Sequence, residues 1–269
     1  MVTVDGRTVT LLDAGVGTAL LARGLPASDV PERWLLERLD EVVAVHRAHV
    51  AAGARAVLTN TFNAHPTVLR GYRLQTFCRE LRRIAVHAAR EAGAQRVWGV
   101  IGPLPPHLPG DQVTSYAESA AVDLCQAGVD GLVVETITNL FEGTCRVKGA
   151  AVSGMPVVAS LVPNTGAVDD VRTAVANLTA AGASTLGVNC ATPAQCHPVL
   201  MEMAASGAQA LWAKPSAGTP QAPVTAEAWV EGTLKLLALG VTSVGGCCGV
   251  TAEMLGALGD ALKRRAHAA

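Results

Sequence analysis

QAGVDGLVVETI, residues 126–137, carries the reading that decides the fold. An Ala/Leu-rich segment of helical period closes on Gly128, the position where a helix needs a left-handed residue to stop. Four residues later the apolar run Leu132-Val133-Val134 begins, and it ends on Glu135-Thr136. The same junction recurs as AAG before Ala54, EAG before Ala94, AAG before Ala183 and ALG before Val241. Short β-rich runs therefore alternate with longer helical ones from end to end. The predicted strands are 8–14, 56–62, 96–102, 131–137, 156–162, 184–190, 208–214 and 242–247. The predicted helices are 32–52, 75–93, 113–127, 139–153, 168–181, 193–206, 225–239 and 251–265. Eight βα units in a chain of 269 residues predict an α/β fold, a closed (β/α)8 TIM barrel forming a single domain over 1–269. DAGVGT at 13–18 has glycines but not the spacing of a dinucleotide fingerprint.

Half of the residues are hydrophobic and 3% are aromatic, which predicts a large core built from Ala, Val and Leu. A formal charge of −1 without runs of one sign gives neither a nucleic-acid groove nor a face for an anionic membrane. No apolar stretch reaches the length of a membrane span, and the N-terminus lacks the pattern of a secretory leader. These features predict a cytoplasmic protein. In that reducing compartment seven cysteines read as free thiols or metal thiolates. The sequence carries no signal for an oligomeric state.

In a parallel barrel the strands are apolar and chemistry gathers beyond their C-terminal ends. Here those ends carry Asp13, Thr59-Asn60-Thr61, Glu135-Thr136, Asn189-Cys190, Lys214-Pro215-Ser216 and Cys247-Cys248. Adjacent cysteines sit about 3.8 Å apart at Cα, too close for an unstrained disulfide. The sixth and eighth strands share parity in a barrel, so Cys190 faces the same space as Cys247 and Cys248. Gly245, Gly246 and Gly249 allow the backbone to turn both thiols inward. Three thiolates suit a tetrahedral Zn²⁺ that keeps one position for a ligand; the alternative is three small buried apolar side chains. Cys78, Cys125 and Cys145 fall within helices and read as that alternative. Cys196-His197 also falls within a helix, poorly placed to join the three.

Zinc with three thiolates carries a net charge of −1, which weakens it for making hydroxide. An incoming thiol is still deprotonated by the metal. Asp13 and Glu135 each end an apolar strand. Either they hold the rim together or they clasp an ammonium group. The amides of Ala14, Gly15, Val16 and Gly17 form a loop able to take a carboxylate. An α-amino acid bearing a thiol satisfies all three elements.

In order along the chain, DAGVGT (13–18), TNTF (59–62), GPLPP (102–106), ET (135–136), GVNC (187–190), KPSAG (214–218) and GGCCG (245–249) resemble the signatures of the zinc-dependent homocysteine S-methyltransferase family. The resemblance covers nearly the whole chain. It implies a (β/α)8 barrel that binds Zn²⁺ through Cys190, Cys247 and Cys248. It also implies an amino-acid pocket at Asp13, the following loop amides, Thr59 and Glu135, with Asn189 beside the metal. The implied reaction transfers methyl from a sulfonium, S-methylmethionine or S-adenosylmethionine, to homocysteine, giving methionine. The alternatives are methylcobalamin on a separate corrinoid protein as donor, methyl transfer to or from another thiol metabolite, or a non-catalytic protein with structural zinc. Ala14, Val16, Ser216 and a short segment after Gly102 depart from the family pattern.

Overall fold

A computed structural model describes residues 2–4 and 6–268. Its strands are β1 (Val2–Val4), β2 (Arg7–Leu11), β3 (Ala56–Leu58), β4 (Arg96–Ile101), β5 (Gly131–Ile137), β6 (Val157–Leu161), β7 (Thr185–Asn189), β8 (Leu211–Lys214), the short pair β9 (Gly218–Thr219) and β10 (Ala222–Pro223), and β11 (Val241–Val244). The main sheet runs β1-β2-β11-β8-β7-β6-β5-β4-β3. β1 is an antiparallel hairpin partner of β2, and every other pairing in this sheet is parallel. Each predicted strand is present, some shortened by up to four residues at the C-terminal end, where the chain leaves the ladder to become rim, and β8 by three at its N-terminal end.

The sheet curls but does not close into the barrel the sequence predicts. Between β2 and β3 the described residues make a single bridge, Leu12 opposite Ala56, supported by the Arg55 N–H donating to the Leu11 carbonyl at 2.8 Å. The architecture is thus mixed α/β and TIM-barrel-like, with no continuous ladder across that seam.

Helices α1 (Val16–Ala22), α2 (Trp34–Glu37), α3 (Leu39–Ala51), α4 (Pro66–Leu69), α5 (Cys78–Glu91), α6 (Gly110–Ala127), α7 (Leu140–Ala151), α8 (Val171–Ala180), α9 (Pro193–Ala205), α10 (Ala226–Leu236) and α11 (Ala252–Ala268) lie between the strands. The glycines read as helix stops are all left-handed, with φ of 104° at Gly53, 86° at Gly93, 92° at Gly128, 109° at Gly182 and 92° at Gly240. The segment predicted as one helix over 32–52 is broken. A 3₁₀ turn at Pro31–Arg33 leads into α2, and Arg38 leaves helical geometry (φ −146°, ψ 56°) before α3.

Two layers of core result. Ala, Val and Leu fill the outer one, between sheet and helices, as expected from composition. The inner one departs from that expectation. Leu12, Leu58, Val100, Val133 and Val158 surround Trp212, which meets Trp98 edge-on at 5.4 Å. Two indoles fill much of the sheet's interior, and glycines make room for them. A Cβ on Gly131 would lie 2.2 Å from the Trp98 ring, and one on Gly187 2.3 Å from the Trp212 carbonyl oxygen. This tightly filled floor leaves the strand ends above it as the place for a cavity.

Candidate metal and substrate site

The three cysteines predicted to converge do so. Cys190 and Cys247 sulfurs are 3.3 Å apart, Cys247 and Cys248 3.9 Å, and all three lie within 4.8 Å of one another. Sulfurs on a tetrahedral metal–thiolate centre with bonds of about 2.3 Å stand roughly 3.8 Å apart. The donor set therefore fits a metal ion with little adjustment.

The backbone reaches this arrangement by a route the glycine reading did not foresee. Cys190, one residue past β7, is itself left-handed at φ 58°, as is Thr136 in β5 at φ 59°. Non-glycine residues pay for this conformation and hold it where the surroundings dictate it. Among the three flanking glycines only Gly249 has positive φ, 75°. Gly245 and Gly246 serve close approach instead. A Cβ on Gly245 would sit 2.5 Å from the Asp13 carbonyl oxygen, and one on Gly246 2.4 Å from a Val250 methyl. Main-chain bonds then fix the loop: Gly245 N–H to Ala213 O (3.0 Å), Gly246 N–H to Asp13 O (2.9 Å) and Cys247 N–H to Pro215 O (2.9 Å).

Three thiols this close share protons. Hydrogen bonds from Cys190 and Cys247 draw Cys248 well below an ordinary thiol, whereas bonding to Cys247 and Cys248 pushes Cys190 up. Asn189, the last residue of β7, has a buried amide that donates to the Cys190 sulfur at 3.2 Å and to the Thr136 hydroxyl at 2.8 Å. Its oxygen accepts from Ser160 at 2.9 Å and from the Thr136 N–H at 3.2 Å. Every polar atom of the amide is used, which locks its N–H groups toward sulfur and hydroxyl.

A cavity of about 300 Å³ opens beside the thiols. The loop Ala14–Thr18, Thr59, Glu135, Lys214 and all three cysteines line it. Gly15 begins α1 without a side-chain cap, so the first amides of that short helix have no side-chain acceptor. Glu135 is half-buried; desolvation, reinforced by Cys247, pushes its carboxyl up to about 8.

Two predicted residues have partners within the protein. Asp13, read as a clasp for a substrate ammonium, is wholly buried. Its carboxylate accepts the Leu58 N–H at 2.8 Å and forms an ion pair with Lys214. The ammonium it holds in this structure is the protein's own. The Thr59 hydroxyl lines the cavity but accepts the Val100 N–H at 3.0 Å. It also bonds Thr61 at 2.7 Å, and Thr61 donates onward to the Val100 carbonyl. With its donor spent on Thr61, Thr59 braces β3 against β4.

Lys214 was visible only as a polar strand end, since its partner lies 201 residues away. His46 and His49 of α3 stand behind Asp13, within 4.8 Å of it, buried and kept neutral by desolvation. Because Lys214 already neutralises Asp13, this second cluster has no charge left to call for a cation. Cys78 and Cys145 are buried, Cys125 is half-buried, and Cys196 donates to the Ala191 carbonyl at 3.5 Å. None of these four lines the cavity.

Comparison with known proteins gives the same direction. The family model described as homocysteine S-methyltransferase matches residues 10–262. Methionine synthase of Mycobacterium tuberculosis is 29% identical over 286 aligned positions, covering 92% of this chain and 24% of that protein. Methionine synthase of Mycobacterium leprae is 27% identical, covering 84% of this chain and 22% of that protein. This chain thus spans about a quarter of the length of the curated relatives it matches. Among solved structures, the homocysteine methyltransferase MmuM from Escherichia coli superposes with TM-score 0.81 in its metallated form, at 22% identity and 97% coverage of both chains. Its oxidized form gives a TM-score of 0.84. At this identity the likeness establishes the fold. No helix among the described residues is long and apolar enough to cross a membrane.

Proposed function

The chain belongs to the homocysteine S-methyltransferase family, and from that premise we propose that it methylates the thiol of homocysteine to give methionine. The observation that carries this reading is the convergence of three cysteine sulfurs on a cavity that also presents Glu135. Zn²⁺ held by Cys190, Cys247 and Cys248 would deprotonate an incoming thiol at neutral pH.

The chain's own groups do the rest. Glu135, raised toward 8 chiefly by burial, gains an opposite charge beside it when a substrate ammonium enters and ionises to hold it. The uncapped amides at Ala14–Gly17 receive the carboxylate. Asn189 donates to the Cys190 sulfur and keeps it oriented. Lys214, whose charge favours the Cys247 thiolate, is itself held by Asp13. Held at both ends, the substrate sulfur is aligned for in-line attack. The new S–C bond forms as the donor's methyl–sulfur bond breaks, and the bonding pair leaves with the donor sulfur. A sulfonium donor, S-methylmethionine or S-adenosylmethionine, leaves as a neutral thioether.

The donor has a competing source that the sequence reading already carries, methylcobalamin presented by a separate corrinoid protein. We also take the Leu12–Ala56 bridge as the closing seam of a (β/α)8 barrel, a single domain working in the reducing cytoplasm.

Purified protein given homocysteine and each donor in turn tests the proposal. Methionine formation with a sulfonium alone supports it, and formation only with a methylcobalamin protein moves the donor assignment. A Cys247→Ala variant that keeps zinc and turnover contradicts it.

A further inference from the structure

Glu32 is a wholly buried carboxylate on the 3₁₀ turn Pro31–Arg33. The nearby arginines are engaged elsewhere. Arg33 bonds Asp29 at 2.6 Å and the Tyr72 carbonyl at 3.0 Å, and Arg82 bonds Asp123 at 2.8 Å and the Ala64 carbonyl at 2.7 Å. What Glu32 does hold is Asn63: one oxygen accepts its backbone N–H at 2.6 Å, the other its side-chain amide at 3.2 Å. A third bond runs the same way between the two segments, from the Asn60 amide to the Pro31 carbonyl at 2.9 Å. Burial pushes the carboxyl up to about 7 against the pull of the Asn63 amides.

A buried carboxylate without a cation is costly, and a turn of three residues has simpler ways to be held. The placement gives the reason. Pro31 on one segment, and Asn60, Phe62 and Asn63 on the other, line the cavity beside the cysteines. The two segments come from different βα units, and these three bonds tie them directly to each other.

We propose that Glu32 is a positioning residue, a latch that fixes the Pro31 wall of the cavity against the Asn60–Asn63 wall and so sets the grip on substrate. The inference rests on the cavity being the substrate pocket. Glu32 touches no reacting atom; it acts through Asn63 and Pro31.

The test removes both bonds and then restores them in the zinc-loaded protein. Glu32→Leu keeps the bulk of the side chain and loses both bonds to Asn63. Glu32→Gln keeps both: its oxygen receives the Asn63 N–H, and its amide donates to the Asn63 side-chain oxygen once that amide turns over. The latch predicts that E32L raises KM for at least one of the two substrates about tenfold while kcat stays within about twofold, the pattern of lost binding rather than lost chemistry. It also predicts that amide exchange at Asn63 speeds up about tenfold or more in E32L, and that E32Q stays within about twofold of wild type in both. If E32L folds poorly, Glu32→Asp, one methylene short, gives the same changes in smaller measure. Unchanged KM and unchanged exchange in E32L, or an E32Q as impaired as E32L, overturns the latch. Exchange at Asn63 needs no turnover. A wild-type protein that makes no methionine therefore refutes the function while leaving the latch to be judged on exchange in E32L and E32Q.

Discussion

Lys214→Met removes the cation that Asp13 holds, and the structure sets how much that should cost. The two side chains are 4% and 0% exposed. An exposed ion pair is worth about 0–1 kcal/mol, but deleting one partner of a buried pair costs about 3–5 kcal/mol, because the other charge is left behind in a poor solvent. In K214M, Asp13 keeps a single hydrogen bond, from the Leu58 N–H. Against a typical total of about 5–15 kcal/mol, the variant should lose about a third of its stability. The double variant D13N/K214M removes both charges and leaves an amide oxygen for the Leu58 N–H, so it should regain more than half of the loss. Urea denaturation of the metal-free wild type, both single variants and the double closes the cycle. K214M also withdraws the positive charge that favours the Cys247 thiolate, so it should bind zinc more weakly at neutral pH. A K214M protein within about 1 kcal/mol of wild type, which would place the pair in the exposed class, refutes this account of Asp13. So does a double variant less stable than K214M.

Three further outcomes follow from other contacts. Asn189→Ala removes the N–H donated to the Cys190 sulfur and should weaken zinc binding by about 10–100-fold in a competition titration. Gly245→Ala drives a methyl into the Asp13 carbonyl, main-chain atoms that cannot rotate away, and should cost about 1–3 kcal/mol together with a loss of zinc affinity. His46 is held neutral by burial, its imidazole lowered to about 4, while the unfolded chain takes up a proton near 6.5. Its contribution is therefore complete above about pH 6.5 and is lost as pH falls toward 4, at about 1.4 kcal/mol per pH unit. His46→Gln should flatten the stability slope between pH 4.5 and 6 by that amount in denaturant titrations.

The repeating elements were legible because their signals are local. Strand 131–137 stands where the apolar run placed it, and each glycine stop is left-handed. The cysteine convergence was legible for a different reason: strand parity in a parallel sheet is a rule of topology. The rest depends on contacts between distant residues. Nothing near Asp13 in sequence announces Lys214, and an acidic residue beyond an apolar strand reads the same whether it faces a ligand or a lysine. The glycines of GGCCG were read as hinges, but two of the three are there because neighbouring atoms leave no room for a side chain. The turn was instead placed on Cys190 itself, a residue type that gives no warning of positive φ. The first helix, α1, was hidden in a stretch whose glycines read as a loop able to take a carboxylate. Composition concealed the two indoles that fill the sheet's interior, since a scarce residue type can still occupy the centre.

The central claim is that three cysteines hold zinc and leave one position for the substrate's sulfur. X-ray absorption at the zinc edge, recorded with and without homocysteine, addresses it directly. The account predicts three sulfur scatterers at about 2.3 Å in the free protein and four with homocysteine bound. It also predicts loss of zinc in the Cys247→Ala variant. Four protein ligands before homocysteine is added, or a sulfur count that homocysteine does not change, would contradict it.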